Sequence, residues 1–123
     1  MGARILVVED NALLALDLTQ ALQADGFQIV GPAMTVGQAL NLIQKRGCDA
    51  AVLDLNLRGE TSEAIAQALL ARSIPFITMT GYTSTQRPAI FDGVLTFTKP
   101  VVMPRLIDGL RECLGPAATV KGP

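Results

Sequence analysis

The sequence predicts an α/β fold in which a mostly parallel, five-stranded sheet carries helices on both faces, in the doubly wound arrangement. Five short apolar segments rich in β-branched residues recur along the chain, and longer segments with the apolar period of a helix separate them. The chain has 123 residues, half of them hydrophobic, which suits a single folded unit. We therefore expect one domain over residues 1–116, followed by a flexible tail over residues 117–123.

The predicted strands are continuously apolar, which is typical of strands that are buried on both faces of a parallel sheet. They are expected at residues 5–8, 27–30, 50–53, 76–79 and 94–97.

The helices between them are marked by capping residues, glycines and prolines. These markers are Asn11 and Gly26 for the first helix, Thr35 and Gly47 for the second, Pro75 after the third (residues 62–72), and Pro104 in the first turn of the last. The segment 82–91 is different, because Pro88 limits any helix there to a short or irregular one. Loop residues are expected at 58–59.

Polar residues follow four of the predicted strands. Glu9 and Asp10 follow the first strand, Asp54 the third, Thr80 the fourth and Lys99 the fifth. In open α/β sheets, ligands bind outside the carboxyl ends of the strands. The sequence therefore predicts that these side chains meet at one rim of the sheet.

Three carboxylates at one rim repel each other unless a cation lies between them, and their hard oxygen atoms suit Mg²⁺. Beside such a cation, Asp54 could act as a nucleophile that forms an aspartyl phosphate. Lys99 would supply a second positive charge, Thr80 a hydroxyl donor, and Gly81 space for the phosphoryl group. Taken singly, each residue could be a helix cap, a strand residue or a solvated charge, but their joint placement favours phosphoryl transfer.

The motifs "ILVVEDN", "AAVLDLNL", "ITMTGY" and "TFTKP" resemble those of the receiver domain of bacterial response regulators, and the resemblance extends over about residues 3–114. It implies a flavodoxin-like sheet with strand order 2-1-3-4-5. It also implies that a sensor histidine kinase or a histidine phosphotransfer protein donates the phosphoryl group to Asp54.

Further roles follow from the same resemblance. Glu9, Asp10, Asp54 and the backbone carbonyl of Asn56 would bind Mg²⁺. Thr80 and Lys99 would contact the phosphoryl group, and a cis peptide bond would precede Pro100.

The chain also departs from the usual receiver pattern. Many receivers carry an aromatic residue three positions before the lysine, where this chain has Thr96, so the aromatic switch is missing or relocated. Phe97 is expected on the opposite face of its strand. The motif Thr80-Gly81-Tyr82 resembles the motif of a subgroup of stand-alone alphaproteobacterial receivers. We expect Tyr82 to help report phosphorylation to a partner.

Composition excludes several other classes of protein. The chain has no histidine, which rules out hydrolases with a catalytic histidine and phosphohistidine carriers. Its net charge is -1 with no basic run, so direct binding of nucleic acid is not expected. No apolar stretch of about 18 residues or signal peptide is present, so we expect no membrane contact and a cytoplasmic location. Cys48 and Cys113 are expected to be buried free thiols.

The leading interpretation is therefore a monomeric or weakly dimeric switch that binds a downstream protein. We expect it to catalyse no reaction other than its own phosphorylation and dephosphorylation. One alternative is a pseudo-receiver that binds its partner without phosphorylation. Another is a small phosphatase of the haloacid dehalogenase type, but such enzymes place a second acid two residues after the nucleophile, where this chain has Asn56. The tail is either a natural end or a linker to an output domain.

Overall fold

Five parallel strands form the central sheet of the computed structural model, which describes residues 2–81 and 88–115. In chain order, all strands are β1 (Arg4–Val8), β2 (Gln28–Ala33), β3 (Ala50–Asp54), β4 (Asn56–Leu57), β5 (Glu60–Thr61), β6 (Phe76–Thr80) and β7 (Thr96–Thr98). The sheet has the order β2-β1-β3-β6-β7. Counted over its five strands this order is 2-1-3-4-5, so the predicted fold class is confirmed.

The helices are α1 (Ala12–Ala24), α2 (Val36–Lys45), α3 (Glu63–Ala71) and α4 (Met103–Leu114). Asn11 caps α1, because its side chain accepts a hydrogen bond from the backbone N–H of Leu14, and Thr35 caps α2 in the same way. In the segment 82–91, predicted to hold at most a short or irregular helix, residues 82–87 lie outside the described residues, and Ala89–Phe91 form one turn of 3₁₀ helix.

The helices cover the sheet on both faces because alternate strand residues point to opposite sides. Leu6 and Val8 of β1 lie in a core with residues of α2 and α3. Ile5 and Val7 lie in a second core with residues of α1 and α4. Both cores are apolar and buried, and they hold the strand ends in fixed positions.

The second strand extends past its predicted end at residue 30 and includes Pro32. A proline is compatible with this strand because β2 lies at the edge of the sheet, where a missing N–H is tolerated. The pairing with β1 shifts between Leu6 and Val8, and Glu9 donates its N–H to the carbonyl of Ala33 at 2.9 Å.

The segment predicted as a loop at residues 58–59 is the turn of a small antiparallel hairpin between β4 and β5. Arg58 and Gly59 have φ values of 55° and 87°, as a two-residue hairpin turn requires. The strands have two residues each, which is too short for an alternating pattern to reveal them.

Cys48 and Cys113 are free but only half-buried, so the expectation of full burial is wrong. Burial raises the pKa of Cys48 to about 11. None of the helices in the described ranges is both long and apolar enough to cross a membrane. The predicted tail lies outside the described residues.

Candidate metal centre

The polar residues at the strand ends lie on neighbouring strands. Glu9 and Asp10 directly follow β1, which pairs with β3, and Asp54 is the last residue of β3. Thr80 ends β6, the next strand of the sheet, and Lys99 directly follows β7 at its edge. The sheet therefore brings all five residues to its carboxyl rim.

The three carboxylates form a cluster that suits a divalent cation. One oxygen atom from each of Glu9, Asp10 and Asp54 lies within 4.8 Å of the others. Two oxygen atoms bound to one Mg²⁺ at about 2.1 Å can be at most about 4.2 Å apart. At least two of the three oxygen pairs would lie on adjacent corners of the octahedron, about 3.0 Å apart, so a spacing of 4.8 Å would have to close by about 1.8 Å on binding. The donor set itself, three hard carboxylate oxygens, fits Mg²⁺.

Lys99 neutralises part of the charge of this cluster. Its Nζ lies 2.9 Å from Oδ2 of Asp54 and 2.9 Å from Oε1 of Glu9. Burial alone would lower the pKa of Lys99, but its hydrogen bonds and the negative charges of Asp54 and Glu9 outweigh burial and raise the pKa. The side chain is therefore a permanent cation at this rim.

Glu9 is completely buried, and burial raises its pKa to about 7. The rise is opposed by a hydrogen bond from the backbone N–H of Asn11 to Oε2 at 2.9 Å, and by Lys99. Apart from its ion pair with Nζ of Lys99 at 2.9 Å, Oε1 has no partner among the described residues. Oε1 thus keeps lone-pair capacity for another cation, which supports the fit to a metal ion.

Asp54 is held through both of its carboxylate oxygens. Oδ2 accepts a hydrogen bond from Lys99, and Oδ1 accepts one from the backbone N–H of Asn56 at 3.2 Å. Asp54 is 4% exposed, whereas Asn56 is exposed at the start of β4. Asp54 is therefore oriented in advance at the rim, with Asn56 beside it.

The remaining predicted residues lie near the cluster or outside the described residues. Thr80 donates its hydroxyl to the carbonyl of Gly81 at 3.1 Å, and its own carbonyl accepts the N–H of Lys99 at 2.8 Å. The peptide bond between Lys99 and Pro100 is cis. Tyr82 lies outside the described residues.

The family profile of the response regulator receiver domain matches residues 5–111. The chain belongs to this family. Among solved structures, the receiver resembles SdrG from Sphingomonas melonis Fr1 with 38% identity and a TM-score of 0.80, over 92% of this chain and 96% of that one. It also resembles a CheY-like receiver domain protein from Methanospirillum hungatei JF-1 with 25% identity and a TM-score of 0.82, over 93% and 94% of the two chains.

Longer regulators also match the receiver. The DNA-binding response regulator MtrA of Mycobacterium tuberculosis is 36% identical over 88 residues, which are 69% of this chain and 37% of the relative. The transcriptional regulatory protein PdtaR of the same organism is 28% identical over 81 residues, 65% of this chain and 40% of the relative. The chain thus spans about two fifths of the length of these curated relatives.

Thr96, where many receivers carry an aromatic residue, lies on β7 opposite Thr78 of β6. The two hydroxyl oxygens are 2.8 Å apart. Phe97 lies on the other face, in the core that includes α4. Sequence reasoning missed Thr78, and its position in a strand two residues before Thr80 was the available signal.

A groove of about 410 Å³ lies at the amino ends of β6 and β7, away from the carboxylates. Its lining includes Leu70, Leu95 and Cys113. The groove has one carboxylate, Glu112, and lacks the cluster of three carboxylates with a lysine that the carboxyl rim has. The rim is therefore the candidate site of this receiver.

Proposed function

We propose that this receiver accepts a phosphoryl group on Asp54 in the presence of Mg²⁺ and thereby changes its affinity for a partner protein. The observation that carries the proposal is the position of Lys99, whose Nζ is 2.9 Å from Oδ2 of Asp54, within a cluster of three carboxylates. A fixed nucleophile beside a fixed cation provides the positioning and charge stabilisation on which phosphoryl transfer depends.

In the proposed step, a carboxylate oxygen of Asp54 attacks the phosphorus atom of a phosphohistidine. An O–P bond forms as the P–N bond breaks, and the electron pair of the P–N bond returns to the imidazole nitrogen. The donor is a sensor histidine kinase or a histidine phosphotransfer protein. Lys99 would neutralise charge on the phosphoryl oxygens, and Thr80 would donate its hydroxyl to one of them.

Glu9, Asp10, Asp54 and the backbone carbonyl of Asn56 would hold Mg²⁺. When bound, Mg²⁺ supplies positive charge that offsets the charge of the carboxylates and of the incoming phosphoryl group. The fit rests on the clustering of three hard carboxylate donors and on the lone-pair capacity of Glu9 Oε1.

The output is proposed to be binding of a downstream protein, with Thr80, Gly81 and Tyr82 as the residues that report phosphorylation to it. Hydrolysis of the aspartyl phosphate would return the receiver to its resting state without turnover of an external substrate. MtrA and PdtaR are regulators by name, but this chain spans about two fifths of each. We therefore propose only receiver chemistry for this chain.

Acetyl phosphate and Mg²⁺ test the proposal when intact mass is recorded over time. The wild-type protein should gain the mass of one labile phosphoryl group, and Asp54→Asn should gain none. Asp108→Asn, an exposed position on α4, is the matched control and should behave as wild type. Beryllofluoride, which mimics a phosphoryl group, should shift the amide NMR signals of Thr80 and Lys99 in the wild type and in Asp108→Asn but not in Asp54→Asn.

The contrary outcomes are equally specific. If neither chemical nor enzymatic donors modify the protein while Mg²⁺ binds, the chain is a pseudo-receiver and Asp54 is no acceptor. Turnover of phosphomonoesters that depends on Asp54 would indicate a phosphatase instead.

A further inference from the structure

The site's lysine lies at the end of a strand with few lateral contacts. β7 has three residues and forms the edge of the sheet, beside β6. Lys99 follows it directly, and its backbone N–H bonds to the carbonyl of Thr80 at 2.8 Å. Any slip of β7 along β6 would therefore move the backbone of Lys99 relative to Glu9 and Asp54, which other strands hold.

A pair of hydroxyl groups joins the two strands on one face of the sheet. Thr78 and Thr96 are direct partners in the parallel register, with Oγ1 atoms 2.8 Å apart. Thr78 is completely buried. Its N–H bonds to the carbonyl of Leu95 at 3.0 Å, and its hydroxyl lies 3.3 Å from the same carbonyl oxygen. The hydroxyl of Thr96 donates to the carbonyl of Val94 at 3.1 Å. The side chains thus add a lateral contact to the short ladder of β7.

On the other face, Phe97 packs against α4 at Gly109. A Cβ atom at Gly109 would come within 2.7 Å of the Phe97 ring, so the ring and the helix backbone approach closely. This packing holds β7 towards the helix. The hydroxyl pair on the opposite face acts along the strand, because a slip would separate two oxygen atoms that are already at hydrogen-bond distance.

We propose that the Thr78–Thr96 hydroxyl pair fixes the register of β7 on β6 and so positions Lys99 between Glu9 and Asp54. This inference rests on the proposed function for its kinetic consequence. Both threonines are positioning residues, because they act through the strand and not on the phosphoryl group. Thr96, in place of an aromatic residue, then has a role in the resting site.

Four single variants and one double variant test the pair. Thr78→Val and Thr96→Val remove one hydroxyl at nearly constant shape, and Thr96→Ser keeps it. Thr98→Val removes an exposed hydroxyl from the same strand and is the matched control. The double variant Thr78→Val/Thr96→Val completes a double-mutant cycle, in which the second substitution adds little if the two hydroxyls act as one unit.

The rate of Asp54 phosphorylation by acetyl phosphate at saturating Mg²⁺ should fall about three- to tenfold in both single valine variants, the range expected for one lost hydrogen bond. Thr96→Ser and Thr98→Val should stay within about twofold of wild type. The double variant should be about as slow as the slower single valine variant, whereas two independent structural losses would multiply. Wild-type rates in the single valine variants or in the double variant would overturn the inference.

Hydrogen exchange of the Lys99 amide separates this inference from the proposed function, because it needs no phosphorylation. The amide should exchange about three- to tenfold faster in both single valine variants and at the wild-type rate in Thr98→Val. If the wild-type protein accepts no phosphoryl group, the proposed function fails, and the exchange rates alone decide the inference. Unchanged exchange at Lys99 would refute it.

Discussion

Replacement of Glu9 by glutamine should change how the stability of the metal-free protein depends on pH. Glu9 is completely buried, beside Asp10, Asp54 and the cation of Lys99, and burial raises its pKa from the ordinary 4.5 to about 7. The folded protein therefore keeps a proton on Glu9 at pH values where the unfolded chain has lost it. By linkage, this stabilisation is complete below pH 4.5 and is lost as the pH rises towards 7.

The size of the effect follows from the same two pKa values. Each pH unit between 4.5 and about 7 lowers the free energy of unfolding by about 1.4 kcal/mol, so the loss is about 3 kcal/mol in total. Glu9→Gln cannot lose a proton and should lack this component. Other titrating groups affect both proteins alike, so the quantity to follow is the difference in stability between wild type and variant.

Urea denaturation in EDTA at pH values from 4 to 8, followed by circular dichroism, measures this difference. Stability of the wild type relative to Glu9→Gln should fall by about 3 kcal/mol across the window, and Glu60→Gln, at an exposed position, should track the wild type. Saturating Mg²⁺ should remove most of the fall, because a bound cation favours the deprotonated carboxylate. If the difference in stability between wild type and Glu9→Gln stays constant within about 1 kcal/mol in EDTA, the reasoning is refuted, because burial would then not raise the pKa of Glu9.

Two further predictions concern packing and thiol chemistry. Gly109→Ala should lower the free energy of unfolding by about 1–2 kcal/mol, because the added Cβ would lie 2.7 Å from the Phe97 ring. Gly37→Ala is the control, because a Cβ there would meet nothing within 4 Å, and it should be neutral or stabilising in the same urea titration. Equal effects of the two variants would contradict this. Cys48, with its pKa raised from 9.0 to about 11, should react with iodoacetamide at pH 8 about a hundredfold more slowly than an ordinary peptide thiol. Mass spectrometry of a Cys113→Ser variant measures this rate, and a peptide-like rate would contradict the predicted pKa.

The sheet and the residues at its carboxyl rim could be predicted from the sequence because the end of each strand is marked by a change from apolar to polar residues. An apolar run followed by a polar residue locates both the strand and the side chain at its carboxyl end, as at Asp54 and Lys99. Parallel pairing then brings these ends together without any knowledge of distances. The fold class was confirmed, and the rim is built from the residues that this argument selects.

The contacts that position the rim residues could not be predicted in the same way. The pairing of Thr78 with Thr96 depends on the register between two strands, which no local pattern encodes for such short segments. Likewise, Pro32 signals an interruption locally, and only its place on an edge strand explains why β2 continues. The hairpin at Arg58 is set by backbone angles that arginine rarely adopts.

Local pattern thus specifies which groups the site contains, and tertiary contact specifies how they are held. Lys99 illustrates the division. Its place after the last strand predicts a cation at the rim, but its dual contact with Glu9 and Asp54 depends on the alignment of three strands. The same contact has a chemical consequence, because a cation that neutralises the resting carboxylates is already in position when negative charge is delivered to Asp54. The resting ion pair therefore prepares the site for the proposed phosphoryl group.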